Sequence, residues 1–200
     1  YPYDIVVRPG GGVAVAGTTY NSDRRVAVAA LTANGSLDPS FGDGGRFTYG
    51  VGGEDAEGFA LAQKQGKLLV AGRQGGSGDT DGLVLRLTVG GSLDPLFGDG
   101  GVTRVPLSPG EDVFNGIAVL PGGRFVAAGN TDEVNLGPTA IVRLTAGGDL
   151  DPTFGQGGVS TLTELASIED VVVDGTGRPV VAGRDSLTVP FNMAAARFLV

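Results

Sequence analysis

The chain has no cysteine, no histidine and no tryptophan. Without cysteine there are no disulfides, thiolate nucleophiles or zinc-thiolate and iron-sulfur centres. The lack of histidine removes the commonest general base, the nucleophilic triads that depend on it and most transition-metal sites. Basic charge is also scarce. Only Lys64 and Lys67 are lysines, and a net charge of -8 with a pI near 4.4 argues against a nucleic-acid partner, whose phosphates demand clustered Lys and Arg. No apolar run is long enough for a membrane span, and no signal-peptide pattern opens the sequence.

Glycine, by contrast, is abundant: 37 of 200 residues, with 11 prolines. Such a content suits a disordered linker only where the remainder is polar. Here 41% of residues are hydrophobic and 18% charged, so the chain has the apolar surface to build a core. An ordered protein with many tight turns is expected.

Self-similarity is the strongest signal. LTANGSLDPSFGDGG at residues 31–45 returns as LTVGGSLDPLFGDGG at 87–101 and as LTAGGDLDPTFGQGG at 144–158, with ten of fifteen positions identical in all three. A shorter pattern ending in Ala-Gly precedes each copy and occurs a fourth time, closing at Gly17, Gly72, Gly129 and Gly183. The chain therefore divides into units at 1–55, 56–112, 113–166 and 167–200, the last without the long glycine motif.

Each unit reads as four short strands. The first is apolar throughout, beginning at Ile5, Ala60, Ile117 and Val171, as expected of a strand buried on both faces. A hairpin turn follows with Gly11, Gly66, Gly123 or Gly177, where positive φ favours glycine. The Ala-Gly ends of the second strands are expected to let a neighbouring sheet approach. A variable loop leads to the third strand, and the fourth, after the long motif, alternates polar with apolar residues. Burial falling from the first strand to the fourth, in units of about 56 residues, fits an all-β fold: a β-propeller of four repeated blades, the last lacking its outer strand. No spare strand completes that last sheet. The units are therefore expected to belong to a larger ring, or to associate so as to complete one.

The repeated GSLDPSFGDGG, the apolar hairpin ending in VAG and the Arg-Leu third strand resemble the delta-60 repeat of bacterial β-propellers. That resemblance implies a secreted or surface-associated bacterial protein and transfers no catalytic residue. Ala30 departs from it, standing where the other units have Arg86, Arg143 and Arg197.

Two sets of residues are candidates for chemistry. Asp38, Asp43, Asp94, Asp99 and Asp151 sit in the long motif at spacings that suit calcium oxygens, yet Asp before Pro also caps a turn. Gln156 replaces the second acid in one copy, so turn capping is the expectation, with no cofactor and no metal. Phe41, Phe97 and Phe154 are expected to wedge between sheets, and Arg86, Arg143 and Arg197 to pair with the motif beside them. The second set lies in the variable segments, expected to gather on one face: Tyr20, Asn21, Asp23, Asp79, Asp81, Asn130, Asp132, Asn135 and Asp185. With no paired catalytic group in view, these suggest a non-enzymatic module that presents loops to a protein or glycan partner. A carboxylate or tyrosine enzyme and a calcium-stabilised adhesive module are the alternatives.

Overall fold

A computed structural model describes residues 1–132, 138–185 and 192–198. Among these residues, fifteen strands form four antiparallel sheets, each in sequence order. Sheet one holds β1 (Pro2–Val7), β2 (Val13–Asn21), β3 (Asp23–Leu31) and β4 (Arg46–Tyr49). Sheet two holds β5 (Asp55–Lys64), β6 (Lys67–Gly76), β7 (Asp79–Leu87) and β8 (Val102–Val105). Sheet three holds β9 (Val113–Val119), β10 (Phe125–Asn130), β11 (Thr139–Leu144) and β12 (Val159–Leu162). Sheet four holds β13 (Leu165–Val173), β14 (Pro179–Asp185) and β15 (Met193–Arg197). No helix among the described residues is long and apolar enough to cross a membrane.

Period-two alternation places three hydrophobic cores between successive sheets. Ala14, Ala16, Val26 and Val28 of sheet one meet Leu68, Val70, Leu83 and Leu85 of sheet two. The opposite face of sheet two sends Leu69, Ala71 and Val84 against Phe125, Ala127 and Val142 of sheet three. Val126, Ala128 and Ile141 then meet Ile168 and Val181 of sheet four. Among the described residues, no substantial packing joins sheet four back to sheet one, so the sheets form an open arc.

That openness corrects the expected burial gradient. In β5 and β9 the innermost strand is largely buried, but Ile5 and Val7 of β1 are 59% and 68% exposed, and Val172 of β13 is 55% exposed. Each lies on a face that no neighbouring sheet covers.

The structure also changes the reason for the Ala-Gly slot. A Cβ at Gly17, Gly72, Gly129 or Gly183 would overlap the carbonyl oxygen of Tyr1, Glu57, Val113 or Ser167. The close approach is made by the innermost strand of the same sheet, not by a neighbouring one. Beside each such glycine the innermost strand bulges, setting out one extra residue: Tyr3, Phe59, Asn115 and Glu169. The register makes Leu61, not Ala60, the counterpart of Ile5, because the β5–β6 turn is one residue shorter than the others.

The variable segments of the first two units are not loops. Strands β2 and β3 continue as a ladder to Asn21 and Asp23, with Ser22 turning at φ 72°. Strands β6 and β7 continue likewise to Gly76 and Asp79. Pairing persists because an antiparallel ladder satisfies backbone donors and acceptors that a loop would leave to solvent.

Candidate functional site

The long motifs act as clamps. Arg86 on β7 donates Nε to Asp94 Oδ2 at 2.8 Å and Nη2 to the Leu96 carbonyl at 2.9 Å, while its guanidinium lies 4.7 Å from the Phe97 ring centre. Arg143 on β11 repeats this with Asp151 at 2.9 Å and the Phe154 ring at 4.9 Å. In the first unit, where Ala30 leaves no guanidinium, Arg8 from the β1–β2 turn reaches Asp38 Oδ2 at 2.8 Å and covers Phe41 at 5.1 Å. The same clamp is built from a different strand. In the fourth unit, without a motif, Arg197 turns to Asp174 at 3.3 Å.

These contacts engage the carboxylates of three motif acids. Asp38, Asp94 and Asp151 spend one carboxylate oxygen on a cation and the other on the N–H of the residue two further on. Asp43 and Asp99 close their turns through backbone N–H bonds to the Arg46 and Val102 carbonyls. No group of three or more acids that would hold a metal ion gathers among the described residues.

Hydrogen bonds from the Ser40 hydroxyl and then the Arg8 guanidinium lower the Asp38 carboxyl to about 2. The Thr153 hydroxyl is the first cause of the same fall to about 2 at Asp151. At Asp94 burial pulls upward, but Lys67, the Leu96 N–H and Arg86 outweigh it and the group is lowered. At Asp174 the Arg178 N–H and then the Thr176 hydroxyl act in the same direction. A carboxylate with a depressed folded-state pKa binds fewer protons than its unfolded counterpart, so stability rises with pH across the window between the two values. The contribution is complete above about pH 5 and is lost as pH falls from the ordinary 3.8 towards 2. Urea denaturation midpoints are therefore expected to drop steeply between pH 4 and pH 2, and less steeply in Asp151→Asn. Equal slopes in the two proteins would refute the assignment.

A cavity of about 300 Å³ opens where the extended hairpins of sheets one and two meet the start of sheet three. Asp23, Arg24, Asp55, Glu57, Arg73 and Glu111 line it, together with Gly75, Ser77 and Thr80. Glu57 is buried at its floor. Its Oε1 accepts Arg24 Nη1 at 2.9 Å, Arg73 Nε at 2.9 Å and Arg73 Nη2 at 2.7 Å. Arg73 also reaches Glu111 Oε2 at 3.4 Å and lies 5.9 Å from the Phe59 ring, which meets Tyr3 edge-on at 5.1 Å. The hydrogen bond to Glu57 raises the Arg24 pKa. Asp55 accepts the Arg24 backbone N–H at 2.9 Å. Fixed carboxylates and guanidiniums thus surround a small polar hollow.

Of the residues expected at the interaction face, Asp23 lines this cavity, and Tyr20 stands directly across the β2–β3 ladder from Arg24, 73% exposed. Asn21 pairs with Asp23 at the hairpin end, and Asp79 opens β7 in an exposed position. The others have different work. Asp81 is bound by Arg104 at 2.8 Å. Asn130 is buried, its Oδ1 accepting the Ile168 N–H at 2.8 Å, so it ties sheet three to sheet four. The Asp132 N–H faces Asp112, and Asp185 closes the β14–β15 connection with Asn192. Asn135 lies outside the described residues. Sequence reading missed Glu57, Arg73 and Arg24. The available signal was Glu57 standing just ahead of the apolar run of β5, where its counterparts are Tyr1, Val113 and Ser167.

Antiparallel sheets of three or four strands in series, the first three carrying repeated motif clamps, define a β-propeller repeat domain. The chain belongs to the β-propeller domain of unknown function DUF5122, whose pattern matches residues 11–41, 63–97 and 121–154, half of its length. No curated protein matches it significantly. Among solved structures, a protein of unknown function from Bacteroides caccae is similar at 12% identity and a TM-score of 0.56, over 96% of this chain and 56% of its own. The chain thus spans little more than half the length of that protein. Sucrose-6-phosphate hydrolase from Lactobacillus gasseri aligns at 13% identity over 90% of this chain and 39% of its own, with a TM-score of 0.43. A GH43 endo-arabinanase from Bacillus licheniformis aligns at 11% identity over 99% and 93%, with a TM-score of 0.31. At these identities the likeness concerns the fold alone.

Proposed function

We propose that this domain is a non-enzymatic binding module and that the cavity between the hairpins of sheets one and two takes part of a glycan. The observation that carries this reading is Glu57, held by three guanidinium hydrogen bonds from Arg24 and Arg73 at the cavity floor. A carboxylate fixed in that way offers a rigid acceptor. Planar carboxylates and guanidiniums suit the paired hydroxyls of a sugar ring, and the exposed face of Tyr20 beside Arg24 suits its C–H side. The polar lining disfavours an apolar ligand. We also assign the units to the delta-60 type of repeat, on the LDPxFG core shared by the three long motifs, and the parent protein to a bacterial surface or secreted setting.

The test is titration with a panel of oligosaccharides, read by amide shifts of Asp23, Arg24, Gly75 and Ser77. Arg24→Ala removes a half-exposed partner of Glu57 and leaves Arg73 in place. It is expected to weaken binding about tenfold, or about 1.4 kcal/mol, with little change in melting temperature. A panel without binders, or release of reducing ends on incubation, would overturn the proposal.

A further inference from the structure

Sheet one has a face built to receive a neighbour. Its residues Ile5, Val13, Val15, Ala27, Ala29 and Leu31 correspond by ladder register to Leu61, Leu68, Val70, Leu83, Leu85 and Leu87 of sheet two. The six residues of sheet two are buried against sheet one. Those of sheet one are half-buried or exposed, and a cavity of about 330 Å³ opens over Val15, Ala27, Ala29 and Phe47.

The boundary between successive sheets shows what this face fits. The phenylalanine of one long motif lies against a glycine of the next: Phe41 against Gly91, and Phe97 against Gly148, where a Cβ would stand 2.8 and 2.9 Å from the ring. The neighbouring N–H completes the joint, Gly42 donating to the Gly90 carbonyl at 2.8 Å and Gly98 to the Gly147 carbonyl at 2.7 Å. Arg86 adds a bond to the Ala146 carbonyl at 2.6 Å. In the first unit the equivalent glycine is Gly35, at φ 84° like Gly91 at 78°, and a Cβ there would meet nothing within 4 Å. Gly35 is exposed where Gly91 and Gly148 are buried.

We infer that the open face of sheet one is the docking surface for a further complete blade of this same repeat, whose motif phenylalanine fills the slot over Gly35. The motif N–H of that blade bonds the Asn34 carbonyl, and its third-strand arginine reaches the Ala33 carbonyl. Continuity with the two joints already formed carries the assignment.

The experiment fuses a copy of residues 54–112 ahead of Tyr1. Asp112 of the copy then joins Tyr1 as Asp112 joins Val113 in the native chain, Tyr1 and Val113 being equivalent opposite Gly17 and Gly129. Hydrogen exchange of the β2 and β3 amides is expected to slow at least tenfold in the fusion. Replacing the copy's Phe97 by Ala is expected to abolish the gain. Gly35→Ala on the receiving side is expected to lower the melting temperature at least twice as much in the fusion as in the native chain. Unchanged exchange, or equal effects of Gly35→Ala in both, would overturn the inference. So would a native chain of twice 20.1 kDa in solution with β2 and β3 protected, which would assign the face to a second copy.

Discussion

Phe97→Ala is expected to destabilise the protein by about 3–5 kcal/mol, the range for removing a large buried aromatic ring. The ring is fully buried at the joint between sheets two and three. It meets Phe125 edge-on at 6.1 Å, lies against Gly148 and carries the Arg86 guanidinium on its face. Truncation removes all three contacts and leaves a hole that clamped backbone on both sides cannot fill. The adjacent Leu96, 76% exposed, supplies the control: Leu96→Ala is expected to stay within about 0.5 kcal/mol. Urea denaturation of the two variants checks the pair. Similar losses at both positions would mean that the phenylalanine does not wedge the sheets.

Arg143→Ala is expected to cost about 3–5 kcal/mol, the range for breaking a buried ion pair by removing one partner. The Arg143 side chain is 3% exposed and that of Asp151 8%, and the second cation near Asp151, Arg124, is more distant at 3.5 Å. Much of the loss comes from the carboxylate left behind. The deficit is therefore expected to shrink as pH is lowered towards 2, where Asp151 protonates in both proteins. Arg143→Lys keeps the charge but not the fork that also holds the Thr153 hydroxyl at 2.7 Å, and is expected to recover only part of the loss. A deficit unchanged at low pH would instead point to lost packing on Phe154.

The clamps were legible in sequence because every chemical part recurs at fixed spacing. Asp-Pro, Phe-Gly and the upstream arginine occur together in the second and third units, and the structure joins them as expected. The first unit was harder to read. Arg8 stands far from Asp38 along the chain, and only the return of β3 and its motif beneath the β1–β2 turn brings the two together. Repetition helps where partners share a unit and a position, and it hides a substitute that arrives from another strand.

The polar cavity was less legible for a related reason. Asp23 and Tyr20 were within reach of sequence reading because they lie in a variable segment. Glu57 was not, since it precedes an apolar strand and resembles an ordinary surface acid until Arg24 and Arg73 close on it from two sheets. Residues expected to face a partner proved structural for a similar cause: the Asn130 amide is consumed by the next sheet.

The sequence alone determined the repeat, its strands, the turns that need glycine and the packing role of the phenylalanines. These follow from local sterics and from period-two burial, which act within one unit and are printed in it several times. Which faces stay open, which cation meets which acid and where a cavity forms were decided only by the tertiary structure. They depend on how one sheet meets the next, and a repeat that looks the same in every unit has different neighbours at the two ends of the arc.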